Sequence, residues 1–210
     1  MTIPFNKFIA RRNKFRTAPA PFYSAQIHQL TGGLDTGLAF RKLERKLDEL
    51  AVYDAIIKRF GKAEDTGTSF IVARAMMRKA LTQAELGKRL EQIAICDAII
   101  ARFSSADSLF LRQLAARSQC NRALALAELG KIEDAMVAFD EVIKTFDHAG
   151  DPPLRVCAGV ALFQKAQLLR QQRHRTEAIA CFGYFIQNYQ MNDEEISGLV
   201  SQAQALLRIL

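Results

Sequence analysis

A nine-residue stretch recurs four times along the chain: YDAIIKRFG from Tyr53, CDAIIARFS from Cys96, FDEVIKTFD from Phe139 and FGYFIQNYQ from Phe182. Each of the three steps between these starts is 43 residues. A step of this size, kept without slippage, describes a stack of one supersecondary unit, because a single unit buries one face and needs its neighbour to cover the other. The 210 residues, 50% hydrophobic and 24% charged, suffice for one continuous core. No apolar run approaches the roughly 18 residues of a membrane span, and the N-terminal stretch lacks the apolar core of a secretory signal. The chain is therefore expected to be soluble and cytoplasmic.

The repeated stretches lie in helical patterns. Leu43, Leu47, Leu50, Ala51 and Ile57 form a period-3.6 stripe with no Gly or Pro to break it, which predicts one helix over about 38–60. Gly61 to Gly67 stops that helix, and Thr68 or Ser69 is placed to cap the next. Two helix pairs follow, over 69–86 with 90–103 and over 110–129 with 132–146, turned at Gly87-Lys88 and Gly130-Lys131. The two glycines are 43 residues apart, where a helix C-terminus recurs. A fourth pair runs over 153–172 and 176–189, with Arg173 in the glycine's place. Asn192 with Glu195 three residues on reads as a capping box opening a last helix, whose stripe is Ile196, Leu199, Val200, Ala203, Leu206, Leu207 and Leu210. That helix has no successor and should close the stack. Its apolar end, Leu206, Leu207, Ile209 and Leu210, suggests self-association through the C-terminal helix.

Ala123-x2-Leu126 followed by Ala135-x3-Phe139, and Ala166-x2-Leu169 followed by Ala178-x3-Phe182, resemble the tetratricopeptide (TPR) repeat, as does LGKIEDAMVAFDEVIKTF as a whole. The alanines let two helix backbones approach, and the phenylalanines fill the space toward the next unit. The chain departs from the family pattern in having no Trp, in lacking the closing Pro (Asp147 and Gln190 stand there), and in its 43-residue unit. The resemblance covers about residues 38–210 and is strongest over 112–190. It implies an all-α, right-handed superhelical solenoid of antiparallel helix pairs, about nine helices in all. It also implies a scaffold or adaptor that binds proteins, with a chaperone-like or regulatory protein sequestering one partner as the alternative.

On the first helix of each pair one face carries Arg74, Met77, Arg78 and Leu81, then Arg117, Cys120, Asn121 and Leu124, then Val160, Phe163, Gln164 and Gln167. In TPR-like proteins this face lines the concave groove. The pattern is an arginine ladder beside an apolar row of Met77, Cys120 and Phe163, suited to an acidic-hydrophobic peptide or helix, since arginine offers a planar fork to carboxylates. The competing reading is that the arginines are solvated or pair with neighbouring acids. The clamp that some TPR proteins use for a C-terminal carboxylate wants Lys and Asn where Met77 and Leu81 stand, so that ligand class is not expected. Asp54, Asp97 and Asp140 also recur at the same step and read as bridges to the next unit.

Residues 1–34 carry Lys7, Arg11, Arg12, Lys14 and Arg16 and no acid, so most of the net +7 charge belongs to them; the remaining 24 basic residues face 22 acids. With Pro4, Pro19, Pro21 and Gly32-Gly33, this stretch reads as a flexible basic arm ahead of a repeat domain over 35–210. Its roles in order of expectation are a tail or a cover for the repeats, then association with nucleic acid or an anionic membrane. Cys96, Cys120, Cys157 and Cys181 fall in apolar patterns without metal-ligand spacing and read as core residues, and the chain lacks a phosphate loop or nucleophile elbow. A non-enzymatic protein without cofactor or metal is expected.

Overall fold

The computed structural model describes residues 25–42, 44–190 and 193–210. The described residues form nine helices and no strand: α1 Ala25–Lys42, α2 Lys46–Phe60, α3 Thr66–Glu85, α4 Arg89–Phe103, α5 Leu109–Glu128, α6 Ile132–Phe146, α7 Pro152–Gln171, α8 Arg175–Asn188 and α9 Glu194–Leu207. Each helix packs against the next, and the all-α stack of helix pairs expected from the period is present.

Two expectations for the first unit need correction. The single helix over 38–60 is broken, because Glu44 takes a left-handed conformation (φ 58°) and separates α1 from α2. Gly32 and Gly33, read as a flexible boundary, lie inside α1, which begins within the stretch assigned to the arm. Gly33 and Gly37 serve proximity: a Cβ on Gly33 would meet Ile56 Cδ1 at 3.1 Å, and one on Gly37 would meet Tyr53 Cε1 at 2.5 Å. Small residues let α1 lie close on α2.

Glu44, Gly87, Gly130 and Arg173 all have positive φ (58°, 75°, 76° and 65°) and stand at successive steps of 43 residues. At each, the chain closes the preceding helix with the same pair of hydrogen bonds. Gly87 N donates to Ala84 O at 3.0 Å and Lys88 N to Gln83 O at 2.9 Å, as Arg173 N does to Arg170 O at 3.1 Å and His174 N to Leu169 O at 2.9 Å. This is the Schellman closure, which takes up the last carbonyls of the helix and turns the chain back antiparallel. Four complete helix pairs follow from it, the first included.

The N-caps differ from those expected. Asp65, not Thr68 or Ser69, caps α3 by accepting from Thr68 N at 2.8 Å. Asp193, not Asn192, caps α9 by accepting from Glu195 N at 2.9 Å and Ile196 N at 3.2 Å. A carboxylate at this place satisfies free helix donors and favours the positive end of the helix dipole.

Within each pair the helices cross at a small first-helix residue, Gly37, Ala80, Ala123 or Ala166, and behind it a ring or thiol of the second helix is fully buried: Tyr53, Cys96, Phe139 or Phe182. At the C-terminal end aromatics dominate, with Phe163 meeting Phe182 edge to face at 5.7 Å and Phe185 stacking on Tyr189 at 5.4 Å. The terminal helix α9 covers this cluster with Ile196, Leu199 and Ala203. It begins where the first helix of a fifth unit would, and it acts as the lid expected. Leu206, Leu207 and Leu210 pack partly on the same cluster, leaving Ile209 exposed.

Candidate functional site: the first-helix face

First helices touch the first helices of adjacent units (α1 with α3, α3 with α5, α5 with α7, α7 with α9), while no comparable contact joins successive second helices among the described residues. Close approach on one side only curves the stack, so the first helices form its inner side. On the outer flank the acid row behaves as expected: Asp54 pairs with Lys79 at 2.5 Å, Asp97 with Arg122 at 2.7 Å and Asp140 with Lys165 at 2.5 Å, each acid reaching the first helix of the following unit. The acids are exposed, so each pair contributes at most about 1 kcal/mol.

The structure divides the face that the sequence grouped together. Met77, Leu81, Cys120, Asn121 and Phe163 are buried in the stack, so the apolar row expected beside the arginines is core and not an open lining. The reason is the close spacing of neighbouring first helices. Asn121 Nδ2 on α5 donates to Met77 Sδ on α3 at 3.4 Å, and Cys120 Sγ donates to Cys157 O on α7 at 3.5 Å. Phe163 fills the space in front of Phe182 and Phe185. Arg74, Arg78, Arg117, Leu124, Gln164 and Gln167 remain half-buried at the surface, which is therefore more polar than expected.

The three arginines have different surroundings. Arg117 Nη2 donates to Glu195 Oε2 at 3.1 Å, across 78 residues of sequence, and the two line a crevice with Cys120, Asn121, Val156, Cys157 and Val160. Burial, the largest influence, lowers the Arg117 pKa, but the Glu195 charge and hydrogen bond together with the Cys157 and Cys120 groups more than offset it, and the guanidinium's pKa is raised. Glu195 entered the sequence reading as a capping residue, and its contact with α5 comes from α9 stacking as a first helix. No local spacing announces that contact.

Arg74 lies over the Phe70 ring, 5.6 Å from its centroid, with Asp35 of α1 in its field. Arg78, one turn on, has no ion pair or hydrogen bond through its side chain among the described residues. For both, burial lowers the pKa; at Arg78 the Arg41 and Arg74 charges lower it further, against Tyr53 and Glu49. Nearby, Arg41 bridges the fully buried Glu49 at 3.4 Å and also Glu85, to which Lys46 adds at 3.5 Å. Tyr53 Oη donates to Glu49 Oε1 at 3.0 Å. Glu49 and Glu85 are thus engaged by Arg41, Tyr53 and Lys46, which leaves Arg74 and Arg78 without a bonded carboxylate.

The cysteines are free and set in apolar surroundings, where burial pushes the Cys96 thiol up to about 12 and the Cys157 thiol to about 11. These thiols stay protonated near neutral pH and pack as small apolar groups. Among the described residues no three His, Cys, Asp or Glu side chains are gathered to hold a metal ion, and no helix is long and apolar enough to cross a membrane. Lys7, Arg11, Arg12, Lys14 and Arg16 of the expected arm lie outside the described residues. A family model described as a tetratricopeptide repeat matches residues 116–145, which span most of α5, the Gly130 turn and most of α6. No curated protein and no solved structure matches the chain.

Proposed function

We propose that this chain, a tetratricopeptide-repeat protein, works as a non-enzymatic interaction scaffold that receives a partner helix or peptide on the face formed by α1, α3, α5 and α7. Repeats of this family are in general protein-interaction modules. The observation that carries the reading is the Arg117–Glu195 pair: this face already accepts a carboxylate borne on the first turn of a helix laid against it. A partner of the same chemistry, acidic with some apolar character, suits the half-buried Arg74 and Arg78 and, further along the stack, the half-buried Leu124, Gln164 and Gln167.

The test is capture from nuclease-treated lysate by the full chain and by two variants. One carries Arg74→Glu and Arg78→Glu; the other has Lys7, Arg11, Arg12, Lys14 and Arg16 changed to Gln. A discrete protein retained by wild type and by the arm variant, and lost from the Arg74/Arg78 variant, is the expected result. Retention that follows the arm or the nuclease step instead moves the function to residues 1–34. Salt adds a second readout: a partly shielded groove loses modest affinity between low and moderate salt, whereas an arm on phosphates loses orders of magnitude.

A further inference from the structure

Arg74 and Arg78 stand one turn apart on α3, both half-buried and both in the field of Tyr53. Arg78 lies in the field of the Arg41 guanidinium, which already holds two acids, Glu49 and Glu85. Charge removed from water without a partner lowers stability, and the usual remedy within a fold is a carboxylate. Asp35 is near Arg74 but forms no ion pair with it among the described residues. One unit along, the residue in the Arg74 register, Arg117, has that remedy in Glu195. Two forked donors a single helical turn apart also match a carboxylate better than they match a neutral polar group.

We infer that Arg74 and Arg78 together are the acceptor for a side-chain carboxylate of the partner, presented from the first turn of a helix as Glu195 is presented to Arg117. The inference rests on the first-helix face being the partner surface. It names the partner's recognition chemistry: a Glu or Asp in the opening turn of an amphipathic helix, where the helix dipole already favours an acid. The site lies at the α1–α3 junction and is separate from the crevice that Glu195 occupies.

The experiment uses the full chain and two fluorescein-labelled amphipathic peptides, identical except that one carries two glutamates in its first turn and the other two glutamines, with inorganic phosphate as a third probe. The glutamate peptide is expected to bind at least ~10-fold more tightly than the glutamine peptide, a difference lost when Arg74 and Arg78 are both changed to Gln. Equal binding of the two peptides, no binding of either, or an unchanged preference in the double variant overturns the inference. So does phosphate raising the melting temperature where the glutamate peptide has no effect, because the site then takes a phosphoryl group. Folding is controlled by the melting temperature of the double variant, which should match or exceed wild type because unpaired charge has been removed. A fall of several degrees would make the two guanidiniums structural and overturn the inference as well. Should the peptides fail while lysate capture is still abolished by substitutions at Gln164 and Gln167, the partner surface stands and only the carboxylate assignment falls.

Discussion

The two halves of the stack share one backbone plan and solve the helix crossing in opposite ways. In the third and fourth units the second-helix residue facing the first helix is Ala135 or Ala178, and the space behind is filled by Phe139, Phe163, Phe182 and Phe185. In the first and second units the same place holds Glu49 or Gln92, both buried and polar, and both need partners. Glu49 finds Tyr53 and Arg41; Gln92 Oε1 accepts from Arg89 Nη1 at 3.1 Å, and its Nε2 reaches Asn121 O at 3.5 Å. A period of 43 residues is thus maintained by geometry, while the polarity of the interior changes along it. The polar half is also where the unpaired arginines stand, so the end of the stack with the least apolar core has the most capacity for an anionic partner.

The sharpest break in that comparison comes at the slot shared by Cys96 and Phe182. Phe182→Ala empties a fully buried aromatic site and is expected to lower stability by about 3–5 kcal/mol, whereas Cys96→Ala removes one atom and should cost about 1 kcal/mol, both read by urea denaturation. Equal losses would mean that the aromatic cluster is not the stronger half.

Exchanging the two crossing solutions comes next. Ala135→Gln puts an amide without a partner into a fully buried position and should cost about 2–3 kcal/mol, while Gln92→Ala, whose bond to the next unit is long and whose other bond is to Arg89 on its own helix, should change stability by about 1 kcal/mol or less. Circular-dichroism melts of the two variants decide it.

Acid should act mainly on the C-terminal half. Asp147 is buried, which by itself raises its pKa, yet hydrogen bonds from Tyr184 Oη at 2.6 Å and from Tyr189 Oη, with the His148 and Arg155 charges, bring it below the ordinary carboxylate value. A carboxylate with a lowered folded pKa contributes stability that is complete above its unfolded value near 4, and that is lost as pH falls through the folded value. Asp147→Asn should therefore flatten the stability profile below about pH 5 and cost about 1–2 kcal/mol at neutral pH. An unchanged acid limb in chemical denaturation would remove Asp147 from that role.

The smallest effects belong to the turns, and here the ends differ from the middle. Gly130→Ala forces a side chain into a left-handed turn and should cost about 1 kcal/mol, while Arg173→Gly and Glu44→Gly relieve that strain and should raise stability by up to about 1 kcal/mol. Differential scanning calorimetry of the three variants gives the signs directly.

The same contrast explains what was legible in the sequence. Gly87 and Gly130 declare the middle turns because glycine is the residue that accepts positive φ without strain. Glu44 and Arg173 adopt that conformation through the geometry of the stack, and residue type does not announce it. The unbroken apolar stripe over Leu43 and Leu47 therefore read as one helix. Alanine spacing made the third and fourth units recognisable, and the family match, over residues 116–145, falls on the third. Of the proposed groove, helical periodicity groups Arg74, Arg78 and Arg117, which the structure leaves half-buried on first helices, but periodicity cannot say how close the next first helix comes. That distance decides that Met77, Cys120 and Phe163 are core, and it brings Glu195 onto Arg117.

On the proposed function, partners are received on the inner side of the stack. The most direct measurement is amide hydrogen exchange on the full chain with and without the protein that lysate capture identifies. Added protection confined to the first helices α1, α3, α5 and α7, greatest around Arg74 and Arg78, is the predicted result. Protection concentrated in the second helices α2, α4, α6 and α8, or in residues 1–24, would contradict it.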